Sequence, residues 1–590
     1  MSNEIIRGGM FLIDDARNTS IFTPEDFNEE HRMIAKTAED YILGEVVPVM
    51  DELEEKKEGL MPSLVKGAGE LGLLAADVPE AYEGMGLDTI SSILITEKVA
   101  LGGPYAVAHS AHTGIGTLPI VYFGNEEQKK KYLPGLASGE LLAAYALTEP
   151  GAGSDALNSK TRAVLSEDGT KYILNGEKMF ITNAGFADIF VTYAKIDGQH
   201  FTAFIIDRES PGLSFGAEED KMGIRGSSTR SVILENCEVP VENVLGEIGK
   251  GHRVAFNILN IGRYKLGAAA VGAAKEALAI SVKYAKERQQ FNKSLVEFGL
   301  IQAKIADMTT KLYASESMVY RTAGLINTVL ADLDPNATDA GQAATNAISE
   351  YAMECSINKI FCSEAVDFIA DEAVQIHGGY GYIREYPVER MYRDSRINRI
   401  FEGTNEINRL LIPATLLKKA TKGEIPLLAA AQKLMGELIG MMPEAPEGVL
   451  GEEFAKLANM KKMFLMTAGS AVQKLGMKLQ DEQEVLAALA DQVIEIYALD
   501  STLVRTKKAV EETGEEANAL KLNMARLYAN EALQNCELIT KNTLAVVESG
   551  DTLKTLLAAL RKLVRFDLVN AVQLKRAIAA DIIEVEKYIV

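Results

Sequence analysis

The 590-residue chain has no tryptophan, only four cysteines and only six histidines. Cys237, Cys355, Cys362 and Cys536 form no C-x-x-C pair, and their spacing suggests no disulfide framework. They read as reduced thiols, which points to a reducing compartment and a cytoplasmic location. The histidines, His31, His109, His112, His200, His252 and His377, make no H-E-x-x-H motif and no Cys/His cluster, so no metal site is expected. His109 and His112 share a helical face, but no third ligand is evident. Positive charge is in deficit: 61 Lys and Arg stand against 83 Asp and Glu, a net charge of −22. That balance argues against nucleic acid and against electrostatic docking on anionic lipid. No apolar run approaches the roughly 18 uninterrupted residues of a membrane span. The opening "MSNEIIRGGMFLIDDARN" has neither a basic region followed by an apolar run nor an Arg/Ser-rich, acid-poor pattern, so no targeting segment is expected.

What remains is ordinary globular composition, 47% hydrophobic and 24% charged, on a chain too long for one core. Texture divides it into 1–142, 143–250, 251–420 and 421–590. The first part is helical: in "TPEDFNEEHRMIAKTAEDYI", Thr23 is a plausible cap, Pro24 the first helical residue, and acids fill the first turn. "GNEEQKKKYLPGLASGE" predicts a short helix ended by Pro134 and Gly135. The second part has β-branched and aromatic runs divided by Asp168-Gly169, Asn175-Gly176 and Asp197-Gly198, which mark hairpins of a compact all-β domain. From Gly251 long helices run to about Lys419; "TKGEIP" then breaks the pattern before a separate helical block.

Several motifs are weak alone. "EPGAGSDA" fits a degenerate G-x-G-x-x-A, but the segment after it is β-like rather than helical, so a Rossmann reading fails. A plain turn competes with a loop whose N–H groups and hydroxyls face a cofactor. "QIHGGYGY" allows close backbone approach, for helix packing or for a phosphate. Arg288, in "KERQQFNK", is a solvated residue unless a pyrophosphate needs a bidentate partner. In "RINRIFEGTNEINRLLI", apolar Ile400 and Phe401 run into the carboxylate of Glu402. Thr404 or Asn405 reads as a helix cap there.

In fixed order, "YALTEPGAGSD", "FITN", "ERQQF", "QIHGGYGY" and "RIFEGTNEI" together closely resemble the acyl-CoA dehydrogenase family over about residues 25–420. The junction "KMGIRGSSTRSVILENCEVPVENVLGEIGKG", the later "FGLIQAKIADM" and the extra C-terminal block look most like its very-long-chain branch. The resemblance implies an α+β multidomain fold: an N-terminal helical domain, a central β-barrel, a C-terminal helical bundle and an additional helical domain. It implies FAD between barrel and bundle, oxidation of an acyl-CoA to the trans-2-enoyl-CoA, and electron transfer flavoprotein as acceptor. Carried over residue by residue, Thr148 and Ser154 meet the isoalloxazine edge, with Tyr145, Leu147 and Gly153 beside them. Phe180, Ile181 and Thr182 cover its face. Many members have Trp where this chain has Phe180, so the flavin surroundings differ in detail. Arg288, Phe291 and Gln375, Ile376, His377, Gly378 and Gly379 hold the adenine-side phosphates, typically of the neighbouring subunit. Thr404 and Glu406 close the site. Asn260, Arg263, Phe401, Gly403 and Ser154 lie near the acyl-CoA, and Ala106 and Ser110 line the end of the acyl channel.

On this reading Glu402 is the general base for the weakly acidic proton alpha to the thioester. A carboxylate in water is poor at this, and one in an apolar pocket is better because burial disfavours its charge. The enolate-like thioester oxygen needs donors already in place. In the family these are a ribityl hydroxyl and the N–H of the glutamate itself. An acyl-CoA oxidase and a non-catalytic assembly scaffold are the alternatives. In the last block, "IPLLAAAQKLMGELIGMM" puts Leu427, Leu428, Ala431, Leu434, Met435, Leu438, Ile439 and Met442 at helical spacing. A core helix is the first reading. An interfacial helix usually pairs an apolar face with a basic one, and here Lys433 is the one clear cation. A homodimer is expected, its C-terminal block covering the surface other members use to form tetramers.

Overall fold

The computed structural model describes residues 5–334, 337, 339–437 and 447–590. The N-terminal helices include α1 (Glu29–Tyr41), α2 (Thr89–Val99), α3 (Pro104–Ser110) and α4 (Glu126–Ser138). Helix α1 starts later than the Thr23–Pro24 signal predicts. Pro24–Asp26 is its own single 3-10 turn, closed by Thr23 N–H donating to Asp26 Oδ2 at 2.8 Å. The true cap is Asn28, whose side chain accepts from His31 N at 2.8 Å while His31 Nδ1 takes the Asn28 N–H at 3.3 Å. Helix α4 runs through Pro134 and ends at Gly139, which supplies φ +80°. One lost backbone bond at Pro134 is outweighed by Leu133, Leu136 and Ala137, all buried around it.

The β domain is one eight-stranded sheet of β1 (Ala143–Ala146), β2 (Arg162–Leu165), β3 (Lys171–Thr182), β4 (Ile189–Ile196), β5 (His200–Asp207), β6 (Leu213–Phe215), β7 (Thr229–Pro240) and β8 (Val244–Leu245). The order is β6-β7-β3-β2-β4-β5-β8, with β1 and β2 both pairing parallel to β4. The sheet is open, not the closed barrel expected: its end strands β6 and β8 span three and two residues and do not pair with each other. Asp168-Gly169 and Asp197-Gly198 do turn hairpins. Asn175-Gly176 instead sits inside β3, where the register against β7 shifts between Leu174 and Gly176. A Cβ on Gly176 would stand 2.4 Å from Thr161 Oγ1, so the glycine serves a close approach inside a bulge rather than a turn.

The bundle is built on α5 (Gly251–Glu287), α6 (Gly299–Ala331), α7 (Ala352–His377) and α8 (Asn405–Thr421). Helices α5 and α7 lie side by side and parallel, Gly267 against Asn358 at one end and Tyr284 against His377 at the other. The last block contains α9 (Leu427–Glu437), α10 (Gly451–Leu475), α11 (Gln483–Thr513), α12 (Ala519–Val547) and α13 (Ala571–Val585). In α9, Leu427 and Leu434 are buried as a core helix requires, while Leu428 is exposed; Leu438, Ile439 and Met442 lie outside the described residues. The N-terminal residues Phe11, Leu12, Ala16 and Ile21 share one core with this block and with Met318 and Ile357 of the bundle. No described helix is long and apolar enough to cross a membrane, and all four cysteines are free and buried.

Candidate active site

Glu402 stands in the short connection before α8, with a left-handed backbone at φ +57°, followed by Gly403 at φ +79°. A glutamate there is strained, and the surroundings must hold it. Three side chains do so by gripping carbonyls. Arg263 Nε donates to Glu402 O at 3.2 Å, and Lys359 Nζ to Gly403 O at 2.7 Å. Asn408 Nδ2 reaches Gly403 O at 2.9 Å and Thr404 O at 3.0 Å. Thr404 is the cap of α8, accepting from Ile407 N at 3.3 Å, so the helix-start reading and the loop's carboxylate are compatible. The Glu402 N–H has no protein acceptor among the described residues.

The carboxylate itself is under-solvated. Glu402 Oε2 is buried and accepts no hydrogen bond. It faces Gly262 so closely that a Cβ there would stand 2.6 Å from it. Burial pushes the Glu402 carboxyl up to about 7, against the opposing charges of Arg263 and Lys359. Burial likewise lowers Lys359, to about 7, with Glu402 the main opposing influence. Arg263 is buried on α5, with Nη1 on Asn260 Oδ1 at 3.1 Å. Tyr145, on β1, completes the surroundings: burial first, then Tyr193 and the Glu402 charge, hold its phenol well above the ordinary value.

From Tyr145 the chain leads to the predicted flavin residues. Leu147 is buried and Thr148 half-buried, and the Thr148 carbonyl accepts from Met179 N at 2.8 Å. Beside it Glu149 and Lys178 form a buried ion pair of 2.7 Å, with Thr161 also donating to Glu149 at 2.6 Å. This clamp joins the end of β1 to β3 just before a second register shift, between Lys178 and Ile181. The bulge turns Phe180 outward: it has φ +59° and is 58% exposed, while Ile181 is buried and Thr182 half-buried. Gly153 and Ser154 are exposed on the following turn, and a Cβ on Gly153 would touch nothing. On α3, Ala106 and Ser110 lie one turn apart and half-buried.

The second predicted group gathers elsewhere. Arg288, Ile376, His377, Gly378 and Gly379 line a cavity of about 440 Å³ with Tyr284 and Tyr380. The Arg288 guanidinium lies 5.4 Å from the Tyr380 ring centre, and Tyr284 stacks on His377 at 4.1 Å. A Cβ on Gly378 or Gly379 would meet nothing within 4 Å, so the backbone there is open to a ligand. Gln375 and Arg288 are exposed, and Phe291 is 87% exposed with φ +54°. Helix α5 carries Arg263 near one end and leads to Arg288 beyond the other, roughly 37 Å away at about 1.5 Å of rise per residue. One subunit therefore does not bring all the predicted residues together. Glu402, Thr404, Arg263, Asn260 and Tyr145 meet; Arg288, Phe291 and 375–379 form a separate surface. Glu406 is exposed on the first turn of α8, and Phe401 is half-buried.

Sequence reading missed Lys359, Asn408 and Gly262. Lys359 had a signal, a lone cation inside the apolar helical run "CSINKIFCS", and Asn408 stands four residues after the Thr404 cap. Gly262, in "NIGR", looks like any small helix residue. No group of three His, Cys, Asp or Glu among the described residues is placed to hold a metal. His109 and His112 are both buried, and burial lowers them to about 3 and about 4. His112 serves packing, with Nε2 on Leu136 O and Nδ1 accepting from Ala143 N, both at 3.0 Å.

Residues 28–140, 144–237 and 249–417 match the N-terminal, middle and C-terminal domains of acyl-CoA dehydrogenase, and 459–562 match a further acyl-CoA dehydrogenase C-terminal domain. A "Probable acyl-CoA dehydrogenase" of Bacillus subtilis is 55% identical over 588 residues, 100% of this chain and 99% of that protein. The mitochondrial very long-chain specific acyl-CoA dehydrogenase of Bos taurus is 35% identical over 523 residues, 83% of this chain and 76% of its own length. The crystal structure of an acyl-CoA dehydrogenase complexed with FAD from Bacillus anthracis superposes with a TM-score of 0.98 at 55% identity, covering 99% of this chain and 100% of that one. The chain belongs to the acyl-CoA dehydrogenase family.

Proposed function

We propose that the protein is an FAD-dependent dehydrogenase of long-chain acyl-CoA thioesters, working in fatty acid β-oxidation with Glu402 as its general base. The observation that carries the dehydrogenase reading is a strained, tightly anchored glutamate whose Oε2 is buried and unpartnered and whose carboxyl is pushed to about 7. The likeness to the very long-chain specific relative supports the substrate class. A base of that strength matches a proton abstraction at neutral pH. The residues around it fit FAD. The outward Phe180 offers a ring face, Thr148, Gly153 and Ser154 offer an open polar turn, and Gly378 and Gly379 leave backbone bare beside Arg288. Bound FAD supplies the hydride acceptor. The protein's part is to take the alpha proton on Glu402 Oε2, to offer the Glu402 N–H to the thioester oxygen as it gains charge, and to keep the loop rigid through Arg263, Asn408 and Lys359. Asn260 and Arg263 line the acyl-CoA side, Phe401 and Gly403 border the reacting carbons, and Thr404 and Glu406 close the site.

Two copies supply one complete site on this reading, because Arg288, Phe291 and 375–379 are too far from Glu402 to serve the same cofactor within one chain. The domains are 1–142, 143–250, 251–420 and 421–590. Electron transfer flavoprotein takes the electrons. Anaerobic addition of palmitoyl-CoA to the yellow protein tests the reading: the visible flavin band bleaches, and electron transfer flavoprotein restores it. A colourless protein that takes up no FAD refutes it. Peroxide formed in air faster than the flavoprotein is reduced makes the enzyme an oxidase instead.

A further inference from the structure

The catalytic loop is tied to the extra C-terminal block by an unbroken chain of polar contacts. On α11, Asp491 Oδ1 accepts from Arg409 Nε at 2.7 Å. Arg409, on α8, forks onto both oxygens of Glu364 at 2.8 and 3.0 Å. Glu364, on α7, takes the Asn405 amide at 2.9 Å. The other end of that amide, Asn405 Oδ1, accepts from Lys359 Nζ at 2.6 Å, and Lys359 Nζ holds Gly403 O. Lys359 is fully buried and Asn405 nearly so. Of these side chains only Lys359 has a part in the reading above; Asn405, Glu364, Arg409 and Asp491 extend its hold on the loop out to the C-terminal block.

We propose that Lys359 is the positioning residue of the Glu402 loop, and that the C-terminal block, through Asp491 and Arg409, holds Lys359's partner Asn405 in place. This rests on Glu402 being the base. Lys359 acts in two ways. Its ammonium fixes the Gly403 carbonyl, so the preceding carboxylate cannot swing. While protonated, its charge also stabilises ionised Glu402, though burial lowers Lys359 to about 7, so this support fades as pH rises past that value. The groups facing Lys359 are Glu402, Arg263, Glu406 and Glu364. Those facing Glu402 are Arg263, Lys359 and the Tyr145 phenol. Arg263 stays charged throughout, so removing Lys359 leaves Glu402 with one cation and a higher proton affinity. The bidentate fork of Arg409 is needed because a single point contact would leave Glu364, and hence Asn405, free to rotate.

The test uses the FAD-loaded full chain, palmitoyl-CoA, and the variants Lys359→Met, Lys359→Arg, Asp491→Asn and Glu402→Gln. The readouts are kcat/KM against pH, and hydrogen exchange of residues 400–408 with residues 143–240 as internal reference. In Lys359→Met the acid limb of kcat/KM moves up by about one pH unit. Its kcat falls roughly 10- to 100-fold from a misplaced loop. Exchange at 400–408 speeds up while the reference is unchanged. Lys359→Arg returns the acid limb to its wild-type position. Asp491→Asn, at a partly exposed site that tolerates the change, speeds exchange at 400–408 and lowers kcat/KM about threefold. A wild-type acid limb and wild-type exchange in Lys359→Met overturn the proposal, and wild-type exchange in Asp491→Asn overturns the part assigned to the C-terminal block. If Glu402→Gln is fully active, the base assignment itself is what fails. If it is inactive while Lys359→Met and Asp491→Asn behave as wild type, the positioning role alone fails.

Discussion

At the residue scale the site rests on Glu402 and the atoms that crowd it. Glu402→Gln keeps the shape, removes the proton acceptor, and is expected to retain FAD while losing at least about 10²–10⁴-fold in kcat. Stopped-flow bleaching at near wild-type rate refutes this. In the wild type, kcat/KM should rise with pH through about 7, since the active form is the carboxylate. Stability carries the opposite sign. A carboxyl whose value is raised from 4.5 to about 7 binds its proton more readily in the folded state, so its contribution is full below 4.5 and lost as pH rises to about 7. Lys359, lowered from 10.5 to about 7, tilts the curve the other way between those values. Thermal melts of Glu402→Gln should therefore be flatter than wild type between pH 4.5 and 7, and no flatter above it. Gly262 gives a sharper test. In a helix Gly→Ala ordinarily stabilises by about 0.5–1 kcal/mol. Here the new Cβ would meet Glu402 Oε2 at 2.6 Å. Gly262→Ala should fold and yet lose about tenfold or more in kcat/KM, because the carboxylate must move.

At the element scale, local chemistry was legible and competition was not. The α8 start was readable from Thr404 because a cap is a short-range device. The α1 start was misplaced because two capping sites, Thr23 and Asn28, lie five residues apart and only the second opens a helix that buries a face. Pro134 and Asn175-Gly176 misled for one reason: each has a strong local preference, while Leu133 and Leu136 in one case and the approach of Thr161 in the other decided the outcome. Glu402 and Arg263 were singled out because a family pattern pointed at them, and the structure brings them together; Lys359 was not, since burial of a lysine is a tertiary fact. Helix α3 supports a prediction at this scale. Ala106 and Ser110 lie one turn apart and half-buried. On the proposed reading they line the end of the acyl channel, where each buried methylene contributes about 0.8 kcal/mol while the channel continues. Ala106→Gln should therefore shift preference toward shorter acyl-CoAs, read as the ratio of kcat/KM for palmitoyl- and butyryl-CoA. An unchanged ratio removes this helix from the channel.

At the scale of the molecule two connections matter, one within the chain and one between chains. Within it, Arg505 of the C-terminal block is fully buried and donates to Glu25 at 3.0 Å and to Glu316 at 2.7 Å, while Lys275 and Tyr588 also hold Glu316. Arg505→Met leaves those carboxylates under-compensated and should cost about 3–5 kcal/mol, read by denaturant unfolding. Between chains, the proposed dimer turns on the aromatic surface around Arg288. Phe291 and Tyr382 are 87% and 86% exposed, and large aromatics left in water at the rim of a bare glycine turn mark a surface that another molecule covers. On the proposed reading the occupant is a second copy, which would also complete the cofactor site, since Arg288 follows α5 roughly 37 Å from Arg263. Light scattering of the intact chain should give twice the chain mass, the C-terminal helices covering the surface that a tetramer would need. Phe291→Ser combined with Tyr382→Ser should yield monomer and release FAD together, with the far-UV spectrum unchanged. A tetrameric mass for the intact chain refutes the covering role of the block. A double variant that stays dimeric with its FAD retained places the shared site elsewhere.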